Sequence, residues 1–193
     1  MKKLLLILIC NVFTAKAQDV IFSQGFLVPE TISSSFSGAT GQPKTGTLHR
    51  SQWTNYGVKI NSNYVYYDTW FDRYNSGLGA TFLNHQETNS NYSFNQLNLN
   101  YVIAFQISDD WYFRPSISVG FGMKSFGFQN LLLEDQINIS SSTINNSSID
   151  PLTLQSKRTF FDFSSSILFN NENSWIGITL RHLNTPNISL TAN

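Results

Sequence analysis

The chain of 193 residues is 41% hydrophobic and 15% aromatic, yet only 12% of its residues are charged. Average globular domains carry about 25% charged residues, so the surface of this protein is unusually poor in ions. Its formal net charge of zero offers no electrostatic attraction to nucleic acid, which we therefore exclude as a partner.

Residues 1–17 have the three parts of a secretory signal peptide. Two lysines form the basic region, residues 4–9 begin the apolar region, and Ala-Lys-Ala at 15–17 supplies a cleavage site. The apolar run is too short for a membrane-spanning helix, which takes about 20 residues. Because Cys10 is the only cysteine and lies in this peptide, we expect a mature protein without disulfides or cysteine metal sites.

Residues 18–45 show no clear periodicity. They contain Pro29, Pro43, several glycines and a run rich in hydroxyl side chains at 31–37. Such residues favour irregular backbone over strands or helices. We expect this N-terminal segment to lie in or under the domain that follows, rather than to form one of its strands.

Residues 46–193 alternate apolar and polar side chains, which is typical of β-strands with one apolar face. The clearest stretch places Leu97 and Leu99 between Asn and Gln residues. In the second stretch, Tyr64 and Tyr66 are predicted to form the apolar face. The alternation predicts seven strands in all, at about residues 46–53, 56–69, 78–82, 95–107, 111–128, 161–169 and 176–181.

The connections between these strands are of two kinds. Short turns and longer polar connections alternate along the chain, so all the short turns fall at one end of the predicted sheet. Membrane β-barrels have short periplasmic turns and long extracellular loops. The short turns lie at 72–76, 108–110 and 170–173, and the longer polar connections at 85–91 and 129–157.

Three tryptophans, Trp70, Trp111 and Trp175, fall beside the short turns, where a membrane barrel carries an aromatic girdle. The sequence therefore predicts an all-β protein, an antiparallel transmembrane β-barrel of the bacterial outer membrane. Bacterial single-chain barrels use even strand numbers, so about seven strands indicate an incomplete barrel, either the N-terminal part of a longer one or a shortened relative. The alternative is a soluble β-sandwich with carbohydrate-binding aromatic residues on its outer loops.

The sequence contains no recognisable catalytic or metal-binding constellation. His49, His85 and His182 fall on different strands or loops, far from any fixed set of carboxylates. No serine, histidine and acidic residue follow one another in a recognised catalytic order. We therefore expect no enzyme activity and no cofactor.

Several polar residues are candidates for binding a partner or the N-terminal segment. Arg50 and Gln52 are predicted to hydrogen-bond the N-terminal segment, with Trp53 packed at the membrane interface. Four charged residues lie on polar strand faces and would line the barrel lumen: Arg114, Lys124, Asp162 and Arg181.

Short motifs spread over nearly the whole mature chain carry a family resemblance. Asp-Val-Ile-Phe-Ser-Gln at 19–24, Arg-Ser-Gln-Trp at 50–53 and Ser-Asp-Asp-Trp at 108–111 lie in the same order as in the PorP/SprF family of outer-membrane proteins, which the chain resembles. Further matching motifs are Phe-Ser-Gly-Ala at 36–39, Phe-Asp-Phe at 161–163 and Arg-His-Leu-Asn-Thr-Pro-Asn at 181–187. The chain lacks the family's Asn-Pro-Ala element and is shorter than most members.

The resemblance implies a non-enzymatic barrel of the type IX secretion system. Family members support the secretion or surface retention of particular substrates, such as large adhesins used in gliding. The expected partners are outer-membrane lipid, one large type IX secreted surface protein and other secretion-system components. We hypothesise that a module of the secreted protein docks into the polar lumen or onto the outer loops. A passive porin or small-solute channel shares every barrel feature and is the alternative.

Overall fold

The computed structural model describes residues 20, 22–23, 25–54, 57, 59–88, 90–127, 132–149 and 157–190. Residues 1–17, expected to form the signal peptide, lie outside the described residues. Within those ranges, no helix is long and apolar enough to cross a membrane. The strands are β1 (Lys44–Gln52), β2 (Ile60–Phe71), β3 (Ser76–Glu87), β4 (Tyr92–Ile103), β5 (Phe105–Gln106), β6 (Tyr112–Ser125), β7 (Ile137–Asn138), β8 (Thr143–Ile144), β9 (Lys157–Asn170) and β10 (Trp175–Leu180).

The seven long strands form one antiparallel sheet in the order β1-β2-β3-β4-β6-β9-β10, and the short β5 also pairs with β6. Each long strand therefore lies beside the strand that precedes it in this list, as in a meander. The predicted all-β antiparallel architecture is confirmed. Because seven is odd, β1 and β10, the two edges among the described strands, run in the same direction.

The sheet curls into a half-barrel with a convex and a concave face. Residues 31–38 lie inside it and contact residues of β2, β4, β6, β9 and β10, which only a strongly curved sheet allows. The convex face is apolar: Leu99 is 59% exposed, whereas its neighbour Asn100 is 4% exposed. The predicted alternation is confirmed on β3, β4, β6 and β9, because their apolar residues point outward and their polar residues inward.

On β2 the predicted orientation is wrong. Tyr64 and Tyr66 are buried on the concave face, and Val65 and Tyr67 are the exposed, outward residues. The ring of Tyr66 lies over Gly46 of β1, where a Cβ atom would come within 2.6 Å of the ring. A tyrosine can line a polar interior because its ring packs on backbone while its hydroxyl stays hydrogen-bonded.

The two ends of the half-barrel differ, and we call them the turn end and the loop end. At the turn end, β2 and β3 are joined by one 3-10 turn, Asp72–Tyr74, followed by Asn75 in the left-handed region with φ 46°. The loop end carries the connection between β6 and β9, which contains its own small hairpin of β7 and β8. The polar tip predicted at 85–91 is shorter than expected because β3 continues to Glu87. Likewise, β4 ends at Ile103 rather than at Ile107.

A row of polar side chains crosses the convex face near the loop end. His49 is hydrogen-bonded to Asn63 at 2.7 Å, Asn63 donates to Asn84 at 3.2 Å, and Asn84 donates to Asn95 at 2.7 Å. These residues are direct cross-strand partners on β1 to β4. The row marks the border of the apolar band that faces the loop end on these strands.

Candidate functional site

The concave face is occupied at the turn end by residues 25–39, which we call the inner segment. Its backbone forms three short 3-10 turns, Gly25–Leu27, Pro29–Thr31 and Ser34–Phe36. Pro29 fixes the backbone at the start of the second turn. Ser33 caps the third turn, because its hydroxyl accepts a hydrogen bond from the Ser35 amide at 3.2 Å.

A cluster of serine hydroxyls fixes the inner segment to the sheet. Ser35 is hydrogen-bonded to Ser116 of β6 at 2.9 Å and to Ser166 of β9 at 2.8 Å. Ser34 reaches the same two residues at 2.8 and 3.0 Å. Ser116 and Ser166 are cross-strand partners, 2.6 Å apart between their hydroxyl oxygens. Each hydroxyl both donates and accepts, so the cluster satisfies its polar atoms without any charge.

Arg114 of β6 is the buried cation of this contact. It is 5% exposed, donates Nε to the Ser35 carbonyl at 3.2 Å and donates Nη2 to the Ser37 carbonyl at 3.1 Å. Its guanidinium lies over the Trp70 ring, 5.0 Å from the centroid. A planar guanidinium can serve two carbonyls and one aromatic face at once, so Arg114 holds the inner segment at three points.

Three glycines let the inner segment approach β2 and β3 closely. A Cβ atom on Gly77 would lie 2.4 Å from the Ser37 carbonyl oxygen, and one on Gly79 would lie 2.4 Å from the Ser37 hydroxyl. Gly38 has φ +69°, a conformation that favours glycine. Its amide donates to Asp68 Oδ1 at 2.7 Å, which ties the segment to β2.

β10 and the residue directly after it hold the middle of the inner segment. Arg181 donates to the carbonyls of Thr31 and Ile32, and the Thr179 hydroxyl donates to the Ile32 carbonyl at 3.3 Å. The inner segment therefore contacts both halves of the curved sheet.

A cavity of about 1020 Å³ lies between the inner segment and the loop end. Glu30, Thr31 and Ser34 of the inner segment form its floor. Two further groups line it: the loop-end residues Arg50, Gln52, His85, Glu87, Tyr92, Lys124 and Phe126, and the wall residues Gln96, Asn98, Asn100, Asp162 and Arg181.

Asp162 is the buried anion of the cavity wall. Its Oδ2 lies 3.0 Å from His182 Nδ1 and accepts a bond from Gln96 Nε2 at 3.3 Å. Its Oδ1 is buried and has no hydrogen-bond partner among the described residues. Asp162 therefore keeps one buried acceptor atom unpaired in the cavity wall.

The structure separates the candidate residues into two groups. Arg114 contacts the inner segment, and Arg50, Gln52, Lys124 and Asp162 line the cavity, whereas Arg181 does both. Lys124 lies over the Tyr92 ring at 5.7 Å near the loop end. Trp53 follows β1 in the left-handed region, φ 54°, and is 58% exposed.

Two of the three tryptophans predicted for the girdle contact groups on the concave side of the sheet. Trp70 lies on the concave face with Asp68 and stacks on Arg114. Trp175 shares the inward face of β10 and packs edge-on against Phe36 of the inner segment, with ring centroids 5.3 Å apart. Both orientations follow from strand parity. Trp111 precedes β6 at the turn end and is partly exposed, so its place in a girdle stays a prediction.

The sequence did not single out the residues that hold the inner segment most directly. Ser116, Ser166 and Asp68 are ordinary polar residues on the inward faces of strands. One signal was available: small residues such as Ser116, Ser166 and Gly77 leave space on the inner face, which a packed segment can fill. No cluster of three or more metal-ligating side chains occurs in the part of the chain that the structure describes.

A curved antiparallel sheet with an apolar outer face, a polar inner face and an irregular segment inside defines a membrane protein of the β-barrel type. The family model of PorP/SprF, type IX secretion system membrane protein, matches residues 14–193. The chain therefore belongs to the PorP/SprF family and is a type IX secretion component of the bacterial outer membrane. Comparison with curated proteins and with solved structures gave no significant match.

Proposed function

We propose that this protein is a non-enzymatic outer-membrane component that binds a large secreted, adhesin-like partner and supports its secretion or its retention at the cell surface. The observation that carries the proposal is the position of the cavity. It lies toward the loop end, and the inner segment fills the turn end below it. The interior is therefore closed at the turn end and open toward the loop end, whereas a pore is open at both ends.

The orientation of this cavity in the membrane follows from the lengths of the connections between strands. Short turns of membrane barrels are periplasmic and long loops are extracellular, so the cavity opens toward the cell surface. A partner that has already crossed the membrane would reach it from outside. The long connection between β6 and β9 lies at the same end and would add contacts around the opening.

The cavity lining suits a segment of polypeptide. Amides such as Gln96 and Asn98 can pair with peptide groups, and aromatic residues such as Tyr92 and Phe94 can contact apolar side chains. Charges of both signs line the space, which excludes neither acidic nor basic segments.

The test is recovery of the tagged protein from native membranes, followed by mass spectrometry. We expect one large surface protein in the purified complex. Asn98→Trp should fill the cavity and reduce recovery of that protein, whereas Asn61→Trp, on the outward face of β2, is the matched control. Wild-type protein that carries no large surface protein after crosslinking contradicts the proposal.

A passive porin would differ from the proposed binding protein in its conductance in planar bilayers. An open pore conducts steadily, whereas a barrel whose turn end is filled by residues 25–39 should pass little current. Deletion of the inner segment should raise the conductance. Steady wild-type conductance through single channels would favour the porin instead.

A further inference from the structure

The inner segment carries a buried acid that faces another buried acid. Glu30 lies in its second 3-10 turn and Asp68 lies on β2, and they are 8% and 1% exposed. Both carboxyls lie beside Lys44, which forms an ion pair with Glu30 and is the cross-strand partner of Asp68. Neither residue takes part in the serine cluster that fixes the segment.

Each of the two carboxyls has one oxygen without a partner. Glu30 Oε1 lies 3.7 Å from Lys44 Nζ, and Asp68 Oδ1 accepts from the Gly38 amide at 2.7 Å. The remaining oxygens, Glu30 Oε2 and Asp68 Oδ2, are buried and have no hydrogen-bond partner among the described residues. A carboxylate is an acceptor only, so two ionised groups cannot bond each other.

We propose that Glu30 and Asp68 share one proton, and that this carboxyl–carboxyl hydrogen bond is a pH-sensitive latch that holds the inner segment in the half-barrel. One protonated carboxyl supplies the missing O–H donor. The bond would join the two oxygens that otherwise stay unpaired, and it links the inner segment to the sheet.

The surroundings define the direction of the response. Burial raises the pKa of Glu30 above its ordinary value, and the nearby Asp68 carboxyl raises it further, against the opposing effects of backbone hydrogen bonding and of Lys44. A group whose pKa is raised by docking binds its proton more tightly when docked. Docking is therefore strongest below the pKa of a free glutamate and weakens as the pH rises through the raised pKa.

Titratable and charged side chains approach the pair from three strands and from the residue that follows β10. Lys44 balances Glu30 from one side, and Arg114 lies near Asp68 from the other. These two cations offset part of the repulsion between the two carboxylates when the shared proton is lost. Among the described residues, the groups near the pair are Lys44 of β1, Tyr64 of β2, Arg114 of β6 and Arg181 directly after β10.

The latch is tested by hydrogen exchange of the full chain in lipid nanodiscs at pH 4.0, below the pKa of a free glutamate, and at pH 8.5, corrected for the intrinsic rates. The Gly38 amide reports on docking directly, since it donates to Asp68 of β2, whereas the amides of Ser37 and Ala39 bond within the inner segment and report on its local order. We expect faster corrected exchange at pH 8.5, by about tenfold for each unit that docking raises the pKa.

Two variants separate the latch from a structural effect. Glu30→Gln keeps the shape, replaces the shared proton by an amide donor and cannot ionise, so exchange should be slow and equal at both pH values. Asp68→Asn preserves an acceptor for the Gly38 amide and removes one carboxyl of the pair, but Glu30 stays buried, so the response should shrink without disappearing. The control Asp109→Asn, in the turn between β4 and β6, should keep the wild-type response.

Heat-modifiable migration on gels shows whether each variant has assembled its sheet, and Asp68→Asn carries the test if Glu30→Gln does not assemble. Wild-type exchange that is equal at the two pH values overturns the proposal. Retention of the full pH response in both variants overturns it as well.

Discussion

Arg114→Ala gives the most direct test of how the inner segment is held. Removal of the guanidinium leaves the Ser35 and Ser37 carbonyls without the donors now at 3.2 and 3.1 Å. A buried acceptor left unpaired costs about 1–3 kcal/mol, and loss of stacking on Trp70 adds about 0.5–2 kcal/mol. Summed over two carbonyls and one ring, we expect docking to weaken by about 2.5–8 kcal/mol, which is about 10²- to 10⁶-fold in the docking equilibrium.

The assay is hydrogen exchange of residues 35–39 in the full chain, with sheet assembly checked by heat-modifiable migration. Arg114→Lys keeps the charge but cannot serve both carbonyls in one plane, so its effect should be intermediate. Arg73→Ala is the matched control, because Arg73 lies in a surface turn and stacks on Tyr74 at 5.7 Å. Unchanged exchange in Arg114→Ala, with the sheet intact, would refute the reasoning.

Three further predictions concern the faces and edges of the sheet. In single-tryptophan variants, brominated lipid should quench Trp111 more strongly than Trp175, because Trp175 packs against the inner segment; equal quenching would contradict the assignment of faces. Leu99→Arg, on the convex face, should cost about 2–4 kcal/mol at the centre of the bilayer and reduce assembly in vesicles, whereas the inward Asn98→Arg should assemble normally. Asn184→Ala removes a side-chain amide that bonds two backbone groups of β9 at 3.0 and 2.8 Å, so exchange along that edge should rise severalfold, and an unchanged rate would count against this role.

The strand pattern could be predicted wherever the two faces of a strand differ in polarity. On β4, leucines face lipid and amides face the interior, so a period of two settles both the strand and its orientation. On β2, tyrosines occupy both faces: Tyr66 lies inside and Tyr67 outside. A phenol suits either environment, so the pattern reveals the strand but not its orientation.

The docking of the inner segment could be predicted only in outline. Its irregular composition indicated a segment in or under the sheet, but nothing in the sequence identifies which serines meet. Ser116 and Ser166 become partners through the register between β6 and β9, and that register depends on the whole sheet. The inward orientation of Trp70 and Trp175 could not be predicted either, because proximity to a turn does not determine which face of the sheet a side chain occupies.

The contact between Ser34, Ser35, Ser116 and Ser166 affects how readily the inner segment exchanges between its docked and undocked forms. An internal hydrogen bond contributes only about 0.5–1.5 kcal/mol net, since water replaces it when it breaks. Undocking of the inner segment at the serine contact would expose hydroxyl groups, which hydrate readily, rather than apolar side chains. The serine contact therefore retains the inner segment through many weak bonds, each of which can form again after exchange with water.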